Sequence, residues 1–377
     1  MKIIVDDKIP YIKGALEPFG KVVYLSGQKT NPEIVKDADA IITRTRTICN
    51  QQLLEGSSVK LIATATIGYD HIDTDYCTKV GIKWTNAPGC NSKSVEQYIA
   101  SALFVLAQKK GFQLKGKTIG VIGVGQVGSK VAHVCQLFGM KVLLNDPPRE
   151  CAEGTKQFCS LNEIMQKADI ITFHVPLNMQ GEDATIHLAD SHFFELLECH
   201  PIVINSCRGE VLDTLSAKTA LKYGQISGLI VDCWENEPTI DLEFMEMVDL
   251  ATPHIAGYSK DGKANGTSMS IQAVSRFFGL GIDHWQALQV ELPENTHIEL
   301  DGWNLSNEEI LAKAILATYD IRNDDAALRK NPELFEKLRG DYPIRREYPV
   351  YTIHTKNVNQ QTLEVLNELG FKLELEY

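Results

Sequence analysis

The 377 residues carry a formal net charge of −12 at pH 7, and 44% of them are hydrophobic. This acidity argues against a nucleic-acid partner, and the length suggests two or three domains. The longest apolar run, residues 102–107, is too short to cross a membrane, and the N-terminus lacks the apolar region of a signal peptide. Nine cysteines without a C-x-x-C pair indicate reduced thiols and predict no metal site. We therefore expect a cytoplasmic protein with neither membrane nor nucleic-acid partner.

Residues 1 to about 90 alternate strand and helix patterns, which is typical of βαβ units and a parallel sheet. The predicted strands are 2–5, 21–25, 40–43, 60–63 and 82–84. The predicted helices between them are 9–19, 32–36, 50–54 and 74–80. Apolar residues within 95–106 then fall on one helical face, so we expect a long helix that carries the chain into a second domain.

A glycine-rich turn joins a predicted strand, 117–122, to a predicted helix, 129–138. Its glycines, Gly123, Gly125 and Gly128, have the spacing G-x-G-x-x-G. In this context the first glycine allows a tight turn, the second lets a pyrophosphate approach the backbone, and the third lets the helix pack closely. The helix N-terminus then offers N–H groups to the phosphates. The pattern predicts a dinucleotide site, and the alternative is a strand–turn–helix without a ligand.

The next predicted strand, 140–145, ends at Asp146. A carboxylate there can accept hydrogen bonds from a ribose diol and repels the 2′-phosphate of NADP. Arg149 follows closely, and an arginine at this place could tolerate that phosphate. We therefore expect NAD as the cofactor, with the strictness of the choice over NADP left open.

The remaining elements complete a second βα domain and a smaller module. Further strands are predicted at 169–173, 201–205, 227–231 and 249–251, with helices at 161–167, 190–198 and 212–223. A glycine-rich stretch after Gly257 precedes an amphipathic helix, 268–278, which we expect to pack on the first domain. Beyond 285 the pattern predicts helices 306–319, 332–337 and 361–369 and strands 348–354 and 372–377. This module shows no glycine loop or catalytic cluster, so interaction is its default role.

Three polar residues follow successive strands of the nucleotide-binding sheet: Arg208, Glu237 and His254. Ligands bind at the carboxyl ends of strands in open α/β sheets, so these side chains can converge. An arginine can grip a substrate carboxylate, a histidine can take a hydroxyl proton, and a carboxylate can orient that histidine. Taken singly, each has a structural alternative: a surface turn, a solvated loop or a packed histidine.

These motifs resemble those of the D-isomer-specific 2-hydroxyacid dehydrogenases. The resemblance over roughly residues 1–285 rests on 123–128, 174–177, 205–209, 237–238 and 253–254. Further similarities at 86–91 and 145–149, and the length of the C-terminal module, extend it to the whole chain, and to members that act on a phosphorylated acid.

The resemblance implies that Arg208 and Glu237 are catalytic and that His254 is the proton donor. Together with the glycine motif, it implies cofactor contacts at Gly123, Gly125, Gln126, Val127, Gly128, Asp146, Val175, Cys207, Asp232 and Gly257. It implies substrate contacts at Thr45, Thr66 and Tyr258. It also implies a homodimer held by the C-terminal module.

The expected fold class is α/β, with two doubly wound parallel-sheet, Rossmann-like domains and a small C-terminal α+β dimerisation domain. The substrate-binding domain is predicted as 1–94 plus 258–284, the NAD-binding domain as 95–257, and the dimerisation domain as 285–377. We also expect hinge closure over the cofactor, with linkers near 90–100 and 258–268.

The expected activity is NAD-dependent oxidation of a small phosphorylated 2-hydroxy acid at C2. The alternatives are another family member, such as a 3-phosphoglycerate or simple D-2-hydroxy acid dehydrogenase, and a non-catalytic NAD-sensing protein. Hydroxyl and guanidinium groups in 43–47 suit a phosphate. Which residue holds it is left open among Arg44, Arg46, and Arg345 or Arg346 of a partner chain.

Overall fold

The computed structural model describes residues 1–154 and 157–375. Backbone contacts divide the chain into two compact units, which are described separately below. Unit 1 comprises Met1–Asn91 and Tyr258–Glu291, and unit 2 comprises Ser92–Gly257 and Leu292–Tyr377. The chain passes between the units at 91–92, 257–258 and 291–292.

Three parallel sheets are present in the described ranges. Their strands are β1 Lys2–Asp6, β2 Lys21–Leu25, β3 Ala40–Thr43, β4 Leu61–Thr64, β5 Lys83–Thr85, β6 Thr118–Ile122, β7 Lys141–Asn145, β8 Ile170–Phe173, β9 Ile202–Asn205, β10 Gly228–Val231, β11 Leu250–Ala251, β12 His297–Asp301, β13 Thr352–Lys356 and β14 Lys372–Leu375. The strand orders are β2-β1-β3-β4-β5 in unit 1, and β11-β10-β9-β8-β6-β7 and β12-β13-β14 in unit 2. The expected α/β class with two Rossmann-like sheets and a small C-terminal sheet is confirmed.

Most of the helices connect successive strands of the sheets. They are α1 Pro32–Val35, α2 Gln51–Leu54, α3 Thr74–Val80, α4 Ser92–Lys110, α5 Gly128–Leu137, α6 Pro147–Glu153, α7 Leu161–Lys167, α8 Ser191–Glu195, α9 Thr214–Lys222, α10 Leu242–Met247, α11 Lys260–Phe278, α12 Asn307–Thr318, α13 Ile321–Lys330, α14 Phe335–Gly340 and α15 Gln360–Leu369. Within the described ranges, none of them combines the length and apolar character that a membrane crossing requires.

The sheet of unit 1 is buried on both faces. Ile3 and Val5 of β1 pack in one apolar cluster together with Ile271 of α11. Ile4, which points the opposite way, packs in a second cluster with Val35. This alternation follows from the two-residue period of a strand, and a strand that is apolar on both sides is typical of a sheet covered by helices on both faces.

The C-terminal segment packs on the nucleotide-binding sheet within unit 2. Leu328 of α13 and Phe335 of α14 belong to the same apolar core as residues of β8 to β10. The Ile321 amide donates to the Ser101 hydroxyl of α4 at 3.1 Å. The segment predicted as a separate C-terminal domain therefore belongs to the second compact unit, because its helices share that unit's core.

Two predicted helices differ from the structure. The helix over 9–19 is wrong: the segment forms turns and one 3-10 turn, Glu17–Phe19. Its backbone has positive φ at Tyr11 and Gly14, and its prolines cannot donate the helical hydrogen bond. The second helix, α11, begins at Lys260 instead of 268. Its glycines serve close packing, since a Cβ on Gly266 would lie 2.4 Å from the Ala65 carbonyl oxygen.

The C-terminal module was predicted less completely. Strand β12 and helix α13 were missed, the first because its residues are mostly polar and exposed along one edge of the sheet. The strand predicted at 348–354 begins later, at Thr352, after a 3-10 turn. Of the final predicted strand, Lys372–Leu375 is present, and residues 376 and 377 lie outside the described residues.

Candidate functional site

The glycine-rich turn has three distinct steric requirements. Gly123 has φ +84°, and a Cβ there would lie 2.7 Å from the backbone carbonyl of His174. A Cβ on Gly128 would lie 1.9 Å from the Gly123 carbonyl oxygen, so the start of α5 touches the turn. A Cβ on Gly125 would meet nothing within 4 Å. The first and third glycines therefore close the turn, and the second leaves open space beside the backbone.

This turn lies where the strand order of the sheet reverses, between β6 and β8, which is the usual ligand-binding position in open α/β sheets. The amides of Gly125, Gln126 and Val127 make no hydrogen bond to the described residues. They precede the ten-residue helix α5, whose N-terminus favours an anion. The Val175 side chain would contact a Cβ on Gly123 at 2.8 Å, so it borders the same turn. These features fit the pyrophosphate of a dinucleotide.

Asp146 fastens the turn to the end of β7. One carboxylate oxygen accepts the Val124 amide at 2.8 Å, and the other accepts the Arg149 amide at 3.1 Å, capping α6. Each oxygen keeps a second lone pair that a ribose hydroxyl can use. The Arg149 guanidinium donates to the Val124 carbonyl and pairs with Glu153 at 2.6 Å. A carboxylate already neutralises this arginine, which favours NAD over NADP.

The loops after β9, β10 and β11 lie side by side. Asn205 is in register with Val231, and Val231 with Ala251, so the three strands end together. A Cβ on Gly209 would lie 2.0 Å from the Trp234 carbonyl oxygen. The backbone after Arg208 therefore touches the backbone just before Glu237, which only glycine permits.

Glu237 and His254 form a charged couple. His254 Nδ1 lies 2.8 Å from one carboxylate oxygen of Glu237, and the other oxygen accepts the Trp234 amide at 2.9 Å. Burial raises the pKa of Glu237, but the hydrogen bond and charge of His254 outweigh it, and the pKa is lowered below its ordinary value. Glu237 is therefore ionised at neutral pH, and its bond to Nδ1 leaves Nε2 of His254 for a reacting hydroxyl.

Arg208 lies on the neighbouring loop, after β9. On the loops after β10 and β11, the ligand atoms of Cys233, Glu237 and His254 lie within 4.8 Å of one another. Burial raises the pKa of the Cys233 thiol, and the positive charge of Arg208 opposes that increase. Arg208 Nη1 donates to the Cys207 carbonyl at 2.8 Å. Burial raises the pKa of the Cys207 thiol to about 11, so it is neutral beside the site.

Asp232, predicted as a cofactor contact, has a positioning role in the structure. It is 1% exposed, and one oxygen accepts the Thr252 hydroxyl at 2.7 Å and the Ile255 amide at 2.8 Å. The other oxygen accepts the Ala256 amide at 2.9 Å. These bonds fold the loop that carries His254 and ends at Gly257. Burial raises the pKa of Asp232 although these donors and the His254 charge oppose it.

The three predicted substrate contacts lie in unit 1. Thr45 is exposed in the turn after β3. The Thr66 hydroxyl donates to the Gly68 carbonyl at 2.8 Å and lies 2.7 Å from the Thr64 hydroxyl. Tyr258 is partly buried, with Lys263 Nζ 4.6 Å from the centre of its ring.

A group of cations in unit 1 was missed by the sequence reasoning. Burial, together with the charges of Arg44 and Lys260, lowers the pKa of Lys263 to about 8, against the opposing charge of Glu291. Lys260 and Lys263 lie one turn apart in α11, and Lys260 pairs with Glu291 at 3.4 Å. An anion beside Lys263 would favour its charged form. Helical spacing would have placed Lys260 and Lys263 together, but that segment was interpreted as a glycine-rich loop.

Arg345, one of the candidates for holding a substrate phosphate across a dimer, is buried within its own chain. It is 4% exposed, and its guanidinium donates to Gln97, Ser94, Ile255 and Ala256. This candidate role is therefore wrong for Arg345, because its donors face its own backbone.

Comparison with known proteins agrees with this geometry. Residues 92–256 match the family model "D-isomer specific 2-hydroxyacid dehydrogenase, NAD binding domain", so the expectation of NAD is confirmed. Residues 291–370 match a domain of unknown function, DUF3410.

Relatives of similar length are also found. The chain is 52% identical over 354 residues to an erythronate-4-phosphate dehydrogenase of Bacteroides fragilis, covering 94% of this chain and 99% of that protein. It is 39% identical to one of Photorhabdus laumondii, with both chains fully covered. Among solved structures, D-lactate dehydrogenase of Aquifex aeolicus, complexed with NAD and lactic acid, aligns with a TM-score of 0.62 and 26% identity. That alignment covers 77% of this chain and 100% of the other.

Proposed function

The chain belongs to the D-isomer-specific 2-hydroxyacid dehydrogenase family and, within it, to the erythronate-4-phosphate dehydrogenases, and from this premise we propose that it oxidises 4-phospho-D-erythronate at C2. The product is 2-oxo-3-hydroxy-4-phosphobutanoate, and the resemblance assigns the step to pyridoxal 5′-phosphate (vitamin B6) biosynthesis. The observation that carries the proposal is the Glu237–His254 couple beside Arg208, at the edge of a sheet with a dinucleotide turn.

His254 is the acid–base group. In oxidation its Nε2 takes the proton of the C2 hydroxyl, while the electron pair of the C2–H bond leaves as hydride. NAD+, when bound, accepts that hydride. Ionised Glu237 holds Nδ1 at 2.8 Å, which orients the ring and stabilises the imidazolium that forms. In reduction the same imidazolium returns the proton to the oxygen.

Arg208 binds the substrate carboxylate or the C2 oxygen. Its planar guanidinium carries five donors and matches a carboxylate in bidentate geometry. The contact of Gly209 with the Trp234 backbone fixes the loop that presents it. A lysine here would keep the positive charge but would lose the planar, bidentate hydrogen-bonding geometry.

The cofactor is held by the groups around the glycine turn. The amides of Gly125, Gln126 and Val127 would bind the pyrophosphate, and Asp146 the ribose diol. Val175, Cys207 and Gly257 would border the nicotinamide side. These three residues follow strands of one sheet at its carboxyl edge, and this position supports their assignment. Asp232 lies at the same edge and would act on the cofactor site through the loop that it folds.

The substrate phosphate is bound in unit 1 by Arg44 and Lys263, with Thr45, Thr66 and Tyr258 as further substrate contacts. The support is the pKa of Lys263, which burial, together with the charges of Arg44 and Lys260, lowers to about 8. A phosphate supplies the missing negative charge and accepts several charge-assisted hydrogen bonds.

The test is NADH absorbance while candidate acids are supplied one at a time. We expect turnover with 4-phospho-D-erythronate and at least tenfold lower kcat/KM for its non-phosphorylated form. Preference for non-phosphorylated acids, or for 3-phosphoglycerate, would reassign the substrate within the family. NAD-dependent association with a partner, no turnover, and no effect of His254→Ala would support the NAD-sensing alternative.

The homodimer is part of this proposal, built mainly through residues beyond about 285. Exposed apolar side chains support it: Leu292 is 60% exposed and Trp303 is 69% exposed. A sedimentation mass of one chain at micromolar concentration would refute it. We also propose a cytoplasmic location, which is consistent with the absence of disulfides between the nine cysteines in the described part of the chain.

A further inference from the structure

The C-terminal segment supplies a buried arginine to the loop that carries His254. Arg345 Nη1 lies 3.4 Å from the Ile255 carbonyl oxygen and 3.3 Å from that of Ala256. Its Nη2 donates to the Ser94 carbonyl in the first turn of α4. One guanidinium thus joins the His254 loop to the start of the long helix.

The surroundings of Arg345 are built to accept its charge. Its Nε donates to the Gln97 side-chain oxygen at 2.9 Å, and the guanidinium carbon lies 3.7 Å from the centre of the Tyr319 ring. The hydroxyls of Tyr319 and Tyr342 both donate to Asp324, at 2.8 and 2.7 Å. The Asp324 carboxylate supplies negative charge that favours the charged form of Arg345. Burying a charge costs several kcal/mol unless hydrogen bonds and opposite charge offset it. All these groups lie in unit 2.

The carbonyls that Arg345 binds flank two chain passages between the units. Ser94 follows the passage at 91–92, and Ile255 and Ala256 precede the passage at 257–258. A neighbouring contact reinforces the first of these, since the Ser94 hydroxyl donates to Glu347 at 2.9 Å. Residues 345–347 of the C-terminal segment therefore bind other residues of unit 2 next to both of these passages.

We propose that Arg345 is a positioning residue, through which the C-terminal segment holds the 254–257 loop so that His254 stays against Glu237. This gives the domain of unknown function an intramolecular role besides interaction. The kinetic consequences rest on the proposed function, but the effect on the loop does not. Asp232 binds the Ile255 and Ala256 amides, so their hydrogen exchange reports directly on loop opening.

Arg329 offers a matched control. It is another arginine of the C-terminal segment, and it donates to the carbonyls of Met245 and Val248 at 2.7 and 2.9 Å. It therefore docks the same segment on the same unit without binding the His254 loop. Arg345→Lys and Arg345→Met would be compared with Arg329→Lys and Arg329→Met in the full-length protein.

Hydrogen-exchange mass spectrometry across 252–258 should show at least tenfold faster exchange in Arg345→Met, a smaller change in Arg345→Lys, and the wild-type rate in both Arg329 variants. If the proposed activity holds, kcat should fall at least tenfold in Arg345→Met, with partial rescue in Arg345→Lys and KM changed less than kcat.

Wild-type exchange in both Arg345 variants, or equal acceleration in the Arg329 pair, would overturn the proposal. Should Arg345→Met not fold, the comparison of the two lysine variants decides. Absence of turnover in the wild type would refute the proposed function and leave the exchange comparison standing.

Discussion

Glu237→Gln isolates the charge of the acid–base couple. The substituted side chain is isosteric, so its oxygen can still accept the Trp234 amide that Glu237 accepts at 2.9 Å. What disappears is the negative charge 2.8 Å from His254 Nδ1. In the proposed mechanism His254 takes up a proton during oxidation and returns it during reduction. Without the carboxylate charge the imidazolium that forms loses its hydrogen-bonded counter-ion, so kcat should fall in both directions.

The size of the loss follows from the bond that is removed. A hydrogen bond to a charged group contributes about 1.5 to 3 kcal/mol. The side chains are only 20% and 31% exposed, so solvent screens this bond incompletely. The amide can also donate to Nδ1 and stabilise the wrong tautomer, so kcat should fall by about 100-fold.

Initial rates of oxidation and of reduction measure this loss. Glu235→Gln is the control, because Glu235 lies two residues away but binds His187 at 2.7 Å and the Thr214 amide at 2.9 Å. It should leave kcat close to the wild-type value. An unchanged kcat in Glu237→Gln, or an equal loss in the control, would refute the role proposed for the couple.

Four further outcomes are expected. Gly209→Ala should abolish most activity and destabilise the fold, measured by rates and urea unfolding, because its Cβ would lie 2.0 Å from the Trp234 carbonyl oxygen. Lys263→Met should raise KM for the phosphorylated substrate at least tenfold and spare the non-phosphorylated acid. In the wild type that KM should rise above pH 8, because the pKa of Lys263 is lowered to about 8 and the neutral amine no longer attracts phosphate. Glu96→Gln should stabilise the protein by about 1 to 3 kcal/mol at pH 8 and far less at pH 5, since burial raises the pKa of Glu96 to about 7 and its ionisation opposes folding.

The sequence was most informative where one backbone rule determines the geometry. Parallel strands end at one edge of a sheet, so the sequence predicted that Arg208 and His254 can converge there. Likewise Gly123 and Gly128 are in contact because strand, turn and helix are local in sequence. The predicted helix over 9–19 failed for the converse reason: apolar spacing suggested a helix, but two prolines and a glycine determined the backbone.

Long-range contacts had no such signal. The sequence separation between Arg345 and Ser94 is 251 residues, and nothing in either segment predicts that a guanidinium will bind that carbonyl. A buried arginine contradicts the usual preference of charged residues for solvent, and from the sequence Arg345 was considered only as a phosphate-binding residue of a partner chain. Similarly, Lys263 was not recognised because it lies in a glycine-rich segment that was interpreted as a loop. The segment is helical, and its glycine at 266 lets α11 pack closely on the sheet of unit 1.

Two carboxylates at the end of β10 show why residue type alone could not assign the chemistry. Asp232 and Glu237 are five residues apart, and both interact with the loop that carries His254. Asp232 binds neutral donors in full burial, so its pKa is raised and it holds the backbone in place. Glu237 binds the imidazole, so its pKa is lowered, and in the proposed function its charge serves the proton transfer. The difference arises from what each oxygen contacts. In the proposed function, one carboxylate therefore keeps the loop folded while the other takes part in the chemistry, so a proton can move to and from His254 without loss of the bonds that hold its loop.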